Sequence, residues 1–564
     1  MSELNVEIAA RFDALADLLE IEAANPFRVR AYRNAASVLR DLPRAVDEML
    51  AAGEDLTGLP GIGDDLAAKI REFVDTGHMK ALDRLQRELP AHLTDLLHVR
   101  GLGPKRVHAL YHELGIDSLE ALGAAARAGK LRSLHGFGAK TEATVLGELA
   151  ALTSTERRRW ADVEPLAARL TAFLGGIAGV KDVVVAGSFR RHLETVGDLD
   201  ILVTAQRDSP VMRRLGDHEE VAQVLSSGGT RSTVILRSGL RVDVRVVPRV
   251  SFGAALHYFT GSRAHNIAVR TLAVKKGLKI NEYGVFRDGE RIAGRTEDEV
   301  FATVDLPWIP PELREDRGEI QAAMEGRLPR LVELDALRGD LHVHSEWGEG
   351  VDSLEALAQA ARERGYAWLA ITDRGLDAER LRPQGEAIDA LNPRLKGLRL
   401  LKGAEVGIRK DGSPDLPDEI LDALDLCVFA VHDHLDLDEA AQTRRLLRAL
   451  EHPRCAMLAH PAGRVIPDRP ALKLDLEQVL RAASGHGVVL EVNGRPERLD
   501  LDDHHCRQAC ALGARLGLCS DARAAGELDL IRHGLAQARR GWAEDGDVVN
   551  TFSPSHLLES LRKA

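Results

Sequence analysis

The sequence has no apolar run approaching the roughly 18–20 residues that a membrane span requires, so an integral membrane helix is not expected. Cysteine is scarce: five residues in 564 are too few for a disulfide scaffold and suit a reducing compartment. The start, Met1-Ser2-Glu3-Leu4-Asn5-Val6-Glu7, lacks the basic-then-apolar order of a secretory leader, which argues against secretion. There is no low-complexity tract. What is present is globular: 45% hydrophobic and 29% charged residues, in a chain long enough for several domains. The formal net charge of -12 argues against a nucleic-acid partner when taken over the whole chain. Locally the sign reverses. Between positions 228 and 277 nine basic residues (231, 237, 241, 245, 249, 263, 270, 275 and 276) accompany a single acid, Asp243, which suits a path for nucleic acid or triphosphate.

Positions 31–39 and 66–73 carry apolar residues at helical spacing. The same first 150 residues repeat a short pattern three times: Leu59-Pro60-Gly61-Ile62-Gly63, Val99-Arg100-Gly101-Leu102-Gly103 and Leu134-His135-Gly136-Phe137-Gly138. A hydrophobic-x-Gly-hydrophobic-Gly turn lets backbone approach a ligand closely and aims free amides at an anion. This is the helix-hairpin-helix pattern, which grips DNA phosphates without reading sequence. Lys105 and Lys140 follow the second and third copies and add positive charge; Asp64 and Asp65 follow the first.

From about 165 the segments shorten and become β-branched, as at 180–186, 199–203, 233–237 and 240–247, which predicts strands. Gly187-Ser188-Phe189-Arg190-Arg191 follows the first of these and precedes Gly197-Asp198-Leu199-Asp200. Gly187 and Ser188 can wrap a triphosphate and an arginine can neutralise it. Two aspartates at i and i+2 of a strand share a face, as holding two magnesium ions about 3.5–4 Å apart requires. Asp243, the only acid in an apolar strand, is the candidate third carboxylate. Prolines 307, 310 and 311 mark a break, and the charged stretch to Arg338 suits a connector. Beyond Gly339 apolar strands (368–372, 427–431, 488–492) alternate with helical segments, which predicts βα units in a parallel sheet or barrel. His342 and His344, at i and i+2, share a face, and Glu405, His432, His460 and Asp521 each lie at a strand end, where the rim of a barrel holds metals.

The motifs of the first part, together with Tyr258-Phe-Thr-Gly-Ser262 and Asn281-Glu-Tyr283, resemble the family-X DNA polymerases over residues 5–310. The resemblance implies that Asp198, Asp200 and Asp243 bind catalytic Mg2+ or Mn2+. It implies that Gly187, Ser188, Arg191, Gly197 and Gly261 hold the nucleotide, that Tyr258 and Phe259 pack under its sugar, and that Asn266 faces the base. Arg270 would meet the template strand, and the glycines of the three turns (61, 63, 101, 103, 136 and 138) with Lys105 and Lys140 would meet DNA. Arg263 departs from the acid often found at its position. Lys69 matches the family's Schiff-base lysine, although Asp64 and Asp65 oppose the lowered pKa which that chemistry needs.

The C-terminal part resembles the polymerase-and-histidinol-phosphatase (PHP) domain. By that resemblance His342, His344, Glu405 and Asp521 form one metal site, and Glu405 bridges to a second completed by His432 and His460. A third site would use positions 349, 374 and 523, which here hold Glu349, Arg374 and Arg523. Arginine stays protonated and is not an ordinary metal ligand, so the expectation is at most two Zn2+ or Mn2+ and weak or no phosphoesterase activity. The two guanidinium groups would pair with Glu349 or with a phosphate, or mark drift in a domain kept for structure. His504, His505, Cys506 and Cys510 lack a second ligand pair nearby in sequence and are read as structural.

The expected fold is multidomain α and α/β. A helical gap-binding domain spans 1–90 and helix-hairpin-helix fingers 91–155. A nucleotidyltransferase palm of mixed sheet and helices spans 156–255 and a thumb 256–311, with a linker at 312–335 and a distorted (β/α)7 barrel at 336–564. The expected activity is template-dependent filling of short gaps in DNA repair, using deoxynucleoside triphosphates, by a cytoplasmic, nucleoid-associated monomer with no membrane partner. A DNA-binding scaffold with little polymerase activity is the alternative; a nucleotidyltransferase acting on RNA ends is a third.

Overall fold

The computed structural model describes residues 3–561 apart from 23, 43, 45, 77, 90–92, 100, 101, 135, 139, 140, 143, 144, 147–156, 207, 208 and 467. The chain forms two compact units, Met1–Glu156 and Arg157–Ala564. Among the described residues no helix is long and apolar enough to cross a membrane.

The first unit is helical and has two apolar cores. One gathers Ile8, Phe12, Leu15, Tyr32, Leu39, Ile70 and Phe73 from helices Glu3–Ile21, Pro26–Asp41 and Asp64–Thr76. The other gathers Leu96, Val107, Leu110, Leu122, Leu131 and Phe137 around helices Pro104–Leu114 and Leu119–Arg127. The three glycine turns repeat one backbone pattern. The amide nitrogens of Ile62, Leu102 and Phe137 donate to the carbonyls of Leu59, Val99 and Leu134 at 3.1, 2.9 and 3.1 Å. Gly63, Gly103 and Gly138 then accept the bonds from Ala67, Val107 and Glu142, at 2.9, 3.0 and 3.0 Å. Gly61 and Gly136 have φ of +80° and +84°, which no β-carbon tolerates well. Gly101 and Lys140 lie outside the described residues.

In the second unit, strands β1 (Val180–Val185), β2 (Asp198–Ala205), β3 (Val221–Ser227), β4 (Arg231–Leu236) and β5 (Arg241–Val246) form a sheet ordered β1-β2-β5-β4-β3. Only the central β2–β5 pair is parallel. Helix Trp160–Gly175 lends Val163, Leu170 and Leu174 to a core shared with Leu199, Ile201, Val242 and Val244. A second core joins helices Phe252–Thr260 and Arg263–Lys275 to a meander of β6 (Lys279–Asn281), β7 (Gly284–Arg287) and β8 (Glu290–Ala293).

The charged stretch 312–335 is built into the fold. Leu313, Ala323 and Leu331 join the second core, whereas Val332 joins that of the following barrel. Two of its charges are buried in pairs, Arg314 on Glu297 and Glu319 on His265 Nδ1 at 2.6 Å, while most of the others are exposed. After it come seven parallel strands in sequence order, β9 (Gly339–Val343), β10 (Trp368–Ile371), β11 (Arg399–Gly407), β12 (Leu426–Ala430), β13 (Cys455–Leu458), β14 (Val489–Asn493) and β15 (Leu516–Cys519). A parallel bridge between Val343 and Ala522 brings the first strand to the end of the last and nearly closes the barrel. Cys506 is wholly buried in the barrel core, as a structural cysteine is.

Candidate active site and metal centres

The parallel pairing of β2 with β5 sets Asp198 opposite Arg241 and Asp200 opposite Asp243. Residues i and i+2 face the same way, so all three carboxylates lie on one face of the sheet. Asp243 is 4% exposed and is held by the Thr233 hydroxyl at 2.5 Å, Arg231 Nη2 at 3.0 Å and Arg241 Nε at 3.1 Å. Burial raises its pKa, but Thr233 and Arg241 outweigh burial and keep it below the usual carboxylate range. Its two neighbours go the other way. Burial, then the charge of Asp243, raises Asp198. Burial, then Asp198 and Asp243, pushes Asp200 up to about 7. Crowded carboxylates with unfavourable charge are the donor set that hard divalent cations satisfy, so these residues fit a metal pair.

A cleft of about 600 Å3 opens beside them. Its lining includes Gly187, Ser188, Arg191, Tyr258, Phe259, Gly261, Arg263, Asn266 and Arg270. Gly187 has φ +65°, and a β-carbon there would lie 3.1 Å from Asp200 Oδ2, so its backbone packs directly against the carboxylate. Gly261 has φ +70°, and its β-carbon would meet Arg191 Nη1 at 3.1 Å. Gly197 packs beside Arg157, which also lines the cleft. The Arg191 guanidinium pairs through Nε with Glu315 at 2.9 Å and through Nη1 with the carbonyl of Thr260. Asn266 donates to the Tyr258 carbonyl at 2.7 Å, and its buried Oδ1 has no hydrogen-bond partner. Phe259 lies under the Arg245 guanidinium, 4.4 Å from it.

In the first unit Lys69 Nζ pairs with Asp65 one turn earlier and stands 5.9 Å from the Tyr32 ring. Lys105 is exposed in the first turn of its helix.

In the barrel the expected ligands converge. His342, His344 and Asp521 offer atoms within 4.8 Å of one another, and so do Glu405, His432 and His460. Glu405 joins the groups: its Oε2 is 3.6 Å from His342 Nε2 and 3.9 Å from His344 Nε2, and its Oε1 is 3.1 Å from His432 Nε2 and 3.4 Å from His460 Nε2. His342 Nε2 and His432 Nε2 are buried without a hydrogen-bond partner, which fits a metal at each group. Sequence reasoning missed Glu491. Its Oε1 lies 2.7 Å from His342 Nδ1 and its Oε2 accepts from the His460 amide at 2.6 Å, so it fixes both histidines. The signal was present, since Glu491 is the one acid in the apolar strand β14. At the remaining position both arginines converge on one carboxylate: Arg374 Nη1 is 3.7 Å and Arg523 Nη2 3.1 Å from Glu349.

Comparison with known proteins agrees with this layout. Residues 3–79 match a helix-hairpin-helix domain model, residues 93–151 a SAM-like helix-hairpin-helix tandem, and residues 255–315 the DNA polymerase beta thumb. The chain is 36% identical over 570 residues to the DNA polymerase/3'-5' exonuclease PolX of Bacillus subtilis, covering 99% of each chain. It is 27% identical over 342 residues to DNA polymerase lambda of Rattus norvegicus, covering 55% of this chain and 56% of the relative. It is 31% identical over 224 residues to a probable phosphatase of Syntrophotalea carbinolica, covering 37% of this chain and 90% of the relative. A full-length match at this level, on a chain whose parts match the helix-hairpin-helix and thumb models, places it in a family: the chain belongs to the bacterial PolX group of family-X DNA polymerases, which carry a C-terminal PHP domain.

Proposed function

We propose that the protein fills short gaps in DNA during repair, extending a primer 3′ end with deoxynucleoside triphosphates as a cytoplasmic, nucleoid-associated monomer. The observation that carries this reading is the register of β2 on β5, which puts Asp198, Asp200 and Asp243 on one face beside the Gly187-Ser188 turn. These three carboxylates would hold two Mg2+ or Mn2+. When bound, the ions supply Lewis acidity at the attacking and departing oxygens of in-line transfer. The chain itself binds and orients. Ser188, Arg191 and the Gly187 and Gly197 backbones hold the triphosphate, and Gly261 lets the chain turn close to Arg191. Tyr258 and Phe259 support the sugar. Asn266 Oδ1, buried and unpaired, faces the base, and Arg270 takes the template backbone. Gly61, Gly63, Gly103, Gly136, Gly138 and Lys105 grip DNA phosphates, with Gly101 and Lys140 completing the set from the sequence pattern. We keep the domain boundaries expected from the sequence, with 312–335 as a connector that packs into the cores on both sides.

In the barrel we assign one ion to His342, His344, Glu405 and Asp521 and, through the bridging Glu405, one to Glu405, His432 and His460, as Zn2+ or Mn2+. The Bacillus relative is named as an exonuclease. Arg374 and Arg523 occupy positions where a third ligand set would be needed, so we expect weak or no exonuclease turnover here. The pairing of Lys69 with Asp65 opposes a free amine at that position, and lyase chemistry is not part of the proposal. Primer extension on DNA with a one-nucleotide gap tests the polymerase reading. A scaffold would bind that DNA without extending it; an enzyme acting on RNA ends would prefer ribonucleotides.

A further inference from the structure

Arg374 and Arg523 follow β10 and β15, the two strands that flank β9 at the barrel mouth. Arg523 follows the metal-cluster residue Asp521 by two positions, just after β15, and Arg374 forms a parallel bridge with Glu405 of β11. They reach a single carboxylate, Glu349, at 3.7 and 3.1 Å. The side chains of Arg374, Arg523 and Glu349 are 39%, 46% and 38% exposed, so a ligand can reach all three. Two permanent positive charges share one negative charge, which leaves a surplus of one. A further guanidinium, that of Arg498, stands 3.8 Å from Asp521 on the same rim. Arginine presents paired donors that match phosphate oxygens, and here Glu349 stands between the two guanidiniums as their counter-charge.

From this geometry we propose that the Arg374–Arg523 pair is a phosphate-binding site at the barrel mouth, taking a phosphate monoester such as the terminal phosphate of a DNA strand, with Glu349 as the resident competitor that the phosphate displaces. A monoester has three terminal oxygens, enough to meet both guanidiniums and still face the adjoining His342–His344–Asp521 group. A diester has only two non-bridging oxygens. The site lets the barrel recognise a strand end without hydrolysing it. This rests on the reading of the barrel as a two-metal centre, which is measured separately.

The test is calorimetric titration of the full-length, manganese-loaded protein with inorganic phosphate, a 3′-phosphorylated oligonucleotide and the same oligonucleotide ending in a hydroxyl. Bound manganese is measured in parallel. The wild type is expected to prefer the phosphorylated end. Arg374→Ala with Arg523→Ala should weaken inorganic phosphate and the phosphorylated end about tenfold or more while keeping the manganese content. Glu349→Gln should tighten both several-fold, because the competing charge is gone; a merely structural salt bridge gives no such gain. If inorganic phosphate binds but the two oligonucleotides bind equally, the strand-end assignment is overturned. Phosphate affinity unchanged in the double variant, or untightened in Glu349→Gln, overturns the site itself. A wild type holding no manganese removes the two-metal reading instead, and the phosphate comparison in the metal-free protein then decides the arginine site alone.

Discussion

Arg540, at the end of helix Ile531–Arg540, donates through Nη1 to the backbone carbonyl of Arg191 at 2.8 Å. The same nitrogen lies 3.1 Å from Glu315, whose Oε1 also holds Arg191 Nε. Its other terminal nitrogen binds Asp503 at 2.7 Å, and the side chain is 1% exposed. A residue far along the chain, in the helix packed on β14 and β15, thus fixes both the backbone and the side chain of an arginine that lines the polymerase cleft. Arg540→Ala removes one partner each from Glu315 and Asp503, which keep Arg191 and Arg317, so the change costs about 1.5–3 kcal/mol as the loss of a charged hydrogen bond. The expected outcome is a lower melting temperature and a raised KM for deoxynucleoside triphosphate with kcat largely kept. An unchanged KM in a folded variant would show that Arg191 is positioned without it.

Glu297 is one of the carboxylates of the polymerase half held below their ordinary range, with Asp243 and Glu319. It accepts from both terminal nitrogens of Arg190 at 2.8 Å, from Arg314 Nη1 at 2.5 Å and from Trp308 Nε1 at 3.1 Å. Burial raises its pKa, but the Arg190 hydrogen bonds and the Arg314 charge hold it well below the ordinary 4.5. A folded pKa below the unfolded one gives stability that is present above about pH 4.5 and lost as pH falls toward the folded value. Glu297→Gln should therefore be less stable near neutral pH, by about 3–5 kcal/mol, because it leaves the buried Arg314 and the partly buried Arg190 without their carboxylate. The gap to wild type should narrow as the pH drops below about 4. Urea unfolding of both proteins across that range measures it.

The close approach of Gly187 to Asp200 makes a third test. Gly187→Ala adds a β-carbon 3.1 Å from Asp200 Oδ2 at a residue with φ +65°. The carboxylate must shift by a few tenths of an ångström, and positioning errors of this kind are costly in phosphoryl transfer. The expected result is a fall in kcat of about tenfold or more with gapped-DNA affinity unchanged, read by single-turnover extension and by anisotropy.

Glu405 touches the imidazoles of both barrel groups, so its removal should act on both. Glu405→Gln is expected to lower bound manganese to less than half of the wild-type content, whereas Glu349→Gln keeps it. Equal manganese in Glu405→Gln and wild type would remove Glu405 from the ligand set.

Local patterns in the sequence carry much of this. Asp198 and Asp200 share a face because a strand repeats every two residues, and Asp243 stands out as a lone acid in an apolar strand. Glu491 has the same signature, yet its task, orienting His342 across the barrel, depends on two strands 149 positions apart meeting. The link from Arg540 to Arg191 spans 349 positions and has no local pattern at all. Composition tells part of the story over 312–335. Most charges there are exposed, but Arg314 and Glu319 are buried because each meets an ionisable partner from elsewhere, Glu297 and His265. Lys69 is the opposite case: its pairing with Asp65, four residues away on one helix, is visible directly.

The most direct measurement is nucleotide incorporation by Asp243→Ala on one-nucleotide-gapped DNA, with DNA affinity and melting temperature followed on the same sample. The account predicts incorporation below about a hundredth of the wild-type rate with DNA affinity nearly unchanged, since one carboxylate of the shared face is gone while the helix-hairpin-helix turns remain. Incorporation above about a tenth of the wild-type rate in a folded variant would contradict it.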